Sequence, residues 1–464
     1  MSRCTFIMVT ILLIIPGILP GQTDLVLTAE KSIELALTNN PEIAMAEKEV
    51  SKANAGVWEA YSAVLPQLDV SANFQHAWEI QTSKIPNFIK PMLGPAAGLI
   101  PDMGDMPDFV EIAFGLENTL NYGATVTQPL FLGGAGIAGI QMARAGGRAA
   151  KLNLEEMRQD VIYRASNAFY LCLLTNEVQE VQEEALAQAE ANFDIVAKKY
   201  DAGAASGFDK MRASVEVENL KPEVISARNN YQAALTQLKT VLGLDRSVIV
   251  SVQGEFQYHE DGFGDMTLSE IQELAFRNRP IINALEEQKY ITRKNIGVAR
   301  SNFLPKLFFQ TDYSYMDMRN DYKFRQKNFS EGFTSALSLQ IPIFHGFRSS
   351  SQYQQAKLDY RIMLDTEKQI NDGVAAEVEI SYNKFKEAKE KYLSTVETVD
   401  LATEALRLAN LMYEEGANTQ LDVLNSQLAL TRARLSRANS LYEYQVSRYQ
   451  LRKVSGQLSG LIDS

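Results

Sequence analysis

Two hydrophobic periods take turns along this chain. From Leu68 the apolar residues fall on every second position (Leu68, Val70, Ala72, Phe74, Trp78, Ile80), while Asp69, Ser71, Asn73, Gln75 and Glu79 fill the other side. That alternation predicts a strand with one apolar and one polar face. A partner is predicted where Ile112, Phe114, Leu116, Leu120, Tyr122, Ala124 and Val126 alternate with Glu111, Glu117, Thr119, Asn121, Thr125 and Thr127. A second pair follows in Leu307, Phe309, Tyr313 and Tyr315, then Phe333, Ser335, Leu337, Leu339 and Ile341. Elsewhere the period lengthens. Val374, Val378, Tyr382, Phe385, Ala388, Tyr392, Val396, Val399, Ala402, Leu406, Ala409 and Tyr413 advance by threes and fours, averaging about 3.5 residues, the spacing of a left-handed coiled coil. No proline occurs from residue 130 to 221 or from 343 to the end, and no glycine between Arg148 and Ala202. Long helices are predicted there; about 60 residues at 1.5 Å each reach roughly 90 Å, too long for a compact core.

These elements are written twice. Thr28 to Leu68 recurs at Thr267 to Leu307, pairing Glu34/Glu273, Ala36/Ala275, Asn39/Asn278, Pro41/Pro280 and Pro66/Pro305; Pro129 to Gly243 recurs at Pro342 to Gly456, pairing Phe131/Phe344, Val161/Val374, Tyr200/Tyr413, Gly203/Gly416, Asp209/Asp422 and Tyr231/Tyr444. One supersecondary unit used twice builds nearly the whole chain. The division expected is 22–245 for the first repeat, 246–266 for a joining segment and 267–464 for the second repeat. Each repeat opens with a short helix (Thr28 to Asn39; Thr267 to Arg279), the second started by a capping box of Thr267 and Glu270. A helix follows from Pro41 or Pro280, where proline suits the first turn. The long helices stop at Gly203 and Gly416, and return helices start at Ser206 with Asp209 and at Thr419 with Asp422. Pro66 and Pro129 lie 63 positions apart but Pro305 and Pro342 only 37, so the first hairpin carries a long Pro- and Gly-rich insertion, Ile85 to Phe109, read as a loop at its tip.

Composition narrows the setting. Residues 1–21, with Arg3, an apolar run from Phe6 to Leu19 and Gly21, read as a secretory signal peptide, so the mature chain starts near Gln22. Cys4 leaves with it, and the remaining Cys172 is read as a small buried apolar residue. Beyond the signal no apolar run is long enough for a membrane helix. A net charge of −12 argues against nucleic acid as a partner. The alternating strands are nevertheless long enough to cross a bilayer as tilted strands, which takes about 9 to 11 residues. Four strands cannot close a barrel, and in lipid no backbone edge can stay unpaired. Several chains must then share one barrel: two would give eight strands and three would give twelve, and spacing alone does not choose. The amphipathic helices would stand in water on one side.

With Leu65-Pro66-x-Leu68 opening a strand, Gln128-Pro129-Leu130-Phe131 closing a hairpin, and the turns Tyr200-x-x-Gly203-x-x-Ser206-x-x-Asp209 and Tyr413-x-x-Gly416-x-x-Thr419-x-x-Asp422-Val423-Leu424, the chain resembles the TolC family of outer-membrane efflux proteins. The resemblance implies a mainly α fold with a β membrane part. Long helical hairpins form an α-barrel, and four strands per chain join a shared twelve-stranded transmembrane β-barrel in a homotrimer. It implies a passive exit duct, without enzymatic activity or cofactor, in the outer membrane of a Gram-negative bacterium. The expected partners are outer-membrane lipid, a periplasmic adaptor and an inner-membrane transporter of a tripartite efflux or type I secretion system.

By the same resemblance Asp422 takes the place of a carboxylate lining a constricted periplasmic aperture, with Asp209 as its copy and Asn425 where some members carry a second acid. Asn418 stands where a member of the family has a basic latch residue. Asp422 reads equally as a helix cap. Tyr200, Gly203, Ala204, Ser206, Tyr413, Gly416, Ala417 and Thr419 form the turns where the family meets its adaptor, although small residues also suit the turn itself. Trp78, Tyr122, Tyr313 and Tyr315 lie on the apolar parity and are expected in an interfacial aromatic girdle. Gly134, Gly136 and Gly139 fit a dinucleotide fingerprint, but the strand before them is two-faced and the second repeat lacks the motif. His76, His259 and His345 are too scattered for a metal site. A soluble periplasmic coiled-coil adaptor is the alternative, and it leaves the four alternating strands without a purpose.

Overall fold

The computed structural model describes residues 25–88, 107–254, 256–260 and 262–458. The chain runs β1 (Leu25–Leu27), α1 (Ala29–Asn39), α2 (Pro41–Ser62), β2 (Gln67–His76), β3 (Thr82–Pro86), β4 (Phe109–Ala113), β5 (Asn118–Phe131), α3 (Ala135–Asp201) and α4 (Gly207–Val241). It continues with β6 (Val250–Val252), α5 (Leu268–Asn278), α6 (Pro280–Ser301), β7 (Lys306–Arg319), β8 (Ser330–Gln340), α7 (Arg348–Glu414) and α8 (Gln420–Val454). The duplication extends to helix length: α1 and α5 have 11 residues each, α2 and α6 have 22, α3 and α7 have 67, and α4 and α8 have 35.

Local chemistry sets these boundaries. Thr28 caps α1 by accepting from the Lys31 amide, and the Thr267–Glu270 capping box forms at α5. The four hairpin helices end alike. Gly203, Gly243, Gly416 and Gly456 have φ of 73°, 66°, 73° and 72°, and the next residue's amide reaches back five residues, as Ala204 does to the Lys199 carbonyl and Ala417 to the Met412 carbonyl. This Schellman arrangement satisfies otherwise orphaned carbonyls. The α4 helix continues through Pro222.

The chain divides into two compact units, each containing elements of both repeats; the boundaries between them fall at 50/51, 148/149, 285/286 and 366/367. The unit holding the hairpin ends is helical and has three apolar cores. One gathers Leu27, Ala36, Val161, Ala165, Phe169, Cys172 and Leu238. Its counterpart gathers Ala275, Val374, Val378, Phe385, Tyr444 and Leu451. The third packs Val399, Leu406 and Ala409 against Val423, Leu430 and Ala433. The 3.5-residue seam of α7 is therefore buried as its spacing predicts. Cys172 is fully buried, and burial pushes its thiol up to about 12. A two-stranded parallel pair, β1 with β6, joins this unit.

In the other unit β2, β5, β7 and β8 form one antiparallel sheet in the order β2-β5-β7-β8. Its register aligns the two kinds of face across all four strands. Val70 pairs with Ala124, Ala124 with Tyr313 and Tyr313 with Phe333, whereas Asp69 pairs with Thr125, Thr125 with Asp312 and Asp312 with Thr334. One face is thus mostly apolar and the other mostly polar. The first hairpin departs from the expected pair of uninterrupted strands. Gly115 has φ of 107°, a conformation that breaks the strand, so Ile112 belongs to a separate β3–β4 ribbon. Ile85, Pro86 and Phe109, expected in a loop, pair within that ribbon. Residues 89–106 of the expected loop lie outside the described residues, as does the expected signal peptide.

Candidate functional site

Two places carry the residues singled out by sequence, one in each unit. The first is the pair of hairpin turns. Ser206 and Asp209 form a full capping box at the start of α4. At the start of α8 the Thr419 amide and hydroxyl both donate to the Asp422 carboxylate, at 3.1 and 2.5 Å. These bonds, the hydroxyl's first, hold the Asp422 carboxyl below its ordinary value of 3.8. Asp422 is nevertheless exposed, as are Asn425, Gly203, Ala204, Ser206, Gly416, Ala417 and Thr419. Capping accounts for one carboxylate oxygen and leaves the side chain facing water.

The structure adds two lysines that sequence reasoning missed. Lys199 reaches across to the other turn, donating to the Tyr413 carbonyl at 3.3 Å with its ammonium 3.9 Å from the centre of the Tyr413 ring. Lys210 lies 4.9 Å from the centre of the Tyr200 ring and 3.7 Å from Asp201. Burial, and then the charge of Asp209, push the Tyr413 phenol upward. A signal for these contacts existed in the duplication: Lys199 and Lys210 occupy positions that hold Met412 and Val423 in the other copy, so the two turns differ in charge while sharing a backbone.

The second place is the four-stranded sheet. Tyr122 stacks on Tyr315 at 5.4 Å between ring centres, Tyr315 meets Tyr313 edge-on at 5.2 Å, and Tyr313 meets Phe333 at 6.2 Å. Three of the four aromatic residues expected in a girdle are therefore neighbours on one face. Trp78 is not on the strand. The ladder β2–β5 closes at His76 and Asn118, and Trp78 stands beyond it, 93% exposed, edge-on to His76 at 4.6 Å. On the opposite face the Thr125 hydroxyl donates to Asp312 at 2.6 Å. The apolar face lacks covering elements: Leu68, Val70, Phe333, Leu337 and Leu339 are all exposed. No described helix is long and apolar enough to cross a membrane, and among the described residues no group of three or more His, Cys, Asp or Glu is placed to hold a metal ion.

A model of the family described as outer membrane efflux protein matches residues 32–244 and 272–457, one span in each repeat. The outer membrane protein TolC of Vibrio cholerae is 21% identical over 347 residues, covering 74% of this chain and 78% of that protein. The alkaline protease secretion protein AprF of Pseudomonas aeruginosa is 23% identical over 436 residues, covering 91% of this chain and 83% of the relative. The crystal structure of the CmeC outer membrane channel of Campylobacter jejuni shares the fold, with a TM-score of 0.73 and 20% identity over 94% of this chain and 88% of that one.

Proposed function

The chain belongs to the outer membrane efflux protein family, and on that premise we propose that three copies form a passive exit duct served by a periplasmic adaptor and an inner-membrane transporter. The observation that carries this reading is the sheet. Its apolar face is continuous across four strands, its outer strands β2 and β8 have no further neighbour among the described residues, and a barrel in lipid tolerates neither an open edge nor an uncovered polar face. Three copies supply twelve strands, with the apolar face toward lipid and the row Asp69, Thr125, Asp312 and Thr334 toward the lumen. A soluble coiled-coil adaptor has no use for such a sheet.

In this reading Tyr122, Tyr313 and Tyr315 sit at the level of lipid headgroups, with Trp78 just beyond. The turns at Gly203 and Gly416 meet the adaptor, and three copies of Asp422, with Asp209 and Asn425 nearby, ring the periplasmic aperture. Residues 22–245 and 267–464 act as two pseudo-equivalent repeats, so three chains present six hairpins. AprF takes its name from alkaline protease secretion, and both efflux and protein secretion fit a duct whose cargo is chosen by its partners. Purified full-length chain added to planar bilayers is expected to produce discrete, uniform conductance steps. Protein that leaves cells with the periplasmic contents on osmotic shock and never raises bilayer conductance would refute the reading.

A further inference from the structure

β2 and β7 leave α2 and α6 at one end of the four-stranded sheet, and β5 and β8 lead back there to α3 and α7. The other end carries the loop between β7 and β8, residues 320–329. This loop is folded onto the sheet. The Tyr322 ring lies 6.2 Å from Phe74 and stacks on His76 at 5.9 Å, Phe324 meets Phe74 edge-on at 6.0 Å, and Phe329 lies 5.2 Å from Tyr122. Phe74, His76 and Tyr122 share a strand face with Val70 and Ala124, so the loop rests on the end of the apolar face and not on the polar one. Polar bonds pin it there. The side-chain oxygen of fully buried Asn118 meets His76 Nδ1 at 2.7 Å, its amide nitrogen donates to the Asp321 carbonyl at 3.4 Å, and the Glu117 amide donates to the Asn320 side chain at 3.2 Å.

Three cations ride on this anchored loop. Lys323, Arg325 and Lys327 are exposed, whereas Phe324 and Phe329 between and beyond them are half-buried. No ion pair with a described residue engages any of the three cations. With Asp321 as its one acid, the loop has a net charge of +2 in a chain whose total is −12. The corresponding end of the first hairpin has the opposite sign: in residues 77–88 and 107–117, Glu79, Asp108, Glu111 and Glu117 stand against Lys84, a net of −3. The duplicated sheet therefore does not require the positive charge, which belongs to one loop.

Cations held in front of aromatic rings, at the end of an apolar surface, suit a headgroup that carries phosphate and sits directly on acyl chains. We propose that residues 320–329 bind the phosphorylated headgroup of a lipid A-type glycolipid. Lys323, Arg325 and Lys327 take the phosphate oxygens, the exposed ring of Tyr322 lies at the level of the sugars, and the acyl chains run down the apolar face past Val70. The proposal rests on the reading of the sheet as part of a membrane barrel. That reading turns the apolar face to lipid and the end away from the helices to the outer leaflet, where glycolipids of this class carry the negative charge.

Native mass spectrometry of the assembled full-length protein in mild detergent tests it, with bisphosphorylated lipid A, dephosphorylated lipid A and phosphatidylglycerol as probes. Wild-type protein is expected to retain bisphosphorylated lipid A in preference to the other two. A Lys323→Gln/Arg325→Gln/Lys327→Gln variant is expected to lose that retention by roughly tenfold or more. The charge-conserving Lys323→Arg/Lys327→Arg variant keeps it, and Lys306→Gln, at the other end of β7, leaves it unchanged. Equal retention by wild type and triple variant overturns the proposal. So does equal retention of lipid A with and without its phosphates, or of lipid A and phosphatidylglycerol. The same spectra count the chains: an assembly of other than three refutes the barrel reading itself, whereas a three-chain assembly indifferent to the triple substitution refutes the lipid site alone.

Discussion

Asp422 illustrates how one carboxylate serves two demands. Its bonds to the Thr419 hydroxyl and amide lower its pKa beneath 3.8, and the exposed side chain keeps its charge toward water. Because the folded value is depressed, capping stability is present above the unfolded value of 3.8 and is lost as pH falls through the lower folded value. In the proposed aperture the Asp422 charge would follow the same titration. Block of the channel by divalent cations should therefore persist from pH 7 to about pH 4.5 and weaken at lower pH, and Asp422→Asn should reduce it while the carboxylate is charged, the difference from wild type vanishing once the acid is protonated. Unchanged block in the variant, measured in planar bilayers, would remove Asp422 from the aperture. Glycines divide the same way between local and tertiary duty. Gly203 has open space where a side chain would go, whereas a methyl group on Gly243 would stand 2.4 Å from the Asn39 carbonyl oxygen and on Gly456 2.8 Å from the Asn278 carbonyl carbon. Gly203→Ala should cost about 1 kcal/mol for its left-handed backbone. Gly243→Ala should cost clearly more, because backbone must also move; equal losses in thermal melts would contradict this.

Among the elements, the sheet gives the sharpest contrast. Val70 and Ser71 are adjacent, but Val70 shares its face with Ala124 and Ser71 with Gly123. On the proposed lipid face an arginine costs up to about 4 kcal/mol, depending on depth, whereas a lumen position tolerates it. Val70→Arg should thus abolish or sharply reduce the membrane-inserted, heat-resistant form, and Ser71→Arg should retain it; the reverse order would mean the faces are assigned backwards. The division into an apolar and a polar face was legible from alternation alone, because a side-chain period of two leaves no ambiguity once one face is apolar. The helix seams were equally legible, since Val374, Val378, Phe385 and Leu406 repeat at coiled-coil spacing and are buried together with their partners. The strand break at Gly115 was not, because period two continues through it and only the backbone angle reveals the interruption. Nor was β1 with β6: Val248 to Val252 is rich in β-branched residues, but a three-residue strand pairing with one more than 220 positions away leaves no periodic trace. The lysines over Tyr413 and Tyr200 were missed because a motif records the residues the two turns share and passes over those that differ.

For the molecule as a whole, the family membership fixes what kind of protein this is, and the sheet supports the proposal that several chains share one barrel. Strands β2 and β8 end the sheet on either side, each with a row of backbone donors and acceptors that only another strand can satisfy in lipid. The most direct test joins those edges covalently. Cysteines scanned along β2 and β8 in pairs such as Ser71→Cys with Thr334→Cys, in membranes containing the full-length protein, place one thiol on each edge, and buried Cys172 with its raised pKa stays inert. Oxidation is expected to yield a ladder of one, two and three linked chains that stops at three. A ladder ending at two, or an unlinked chain whose β2 and β8 amides are already protected from hydrogen exchange, would contradict the shared barrel.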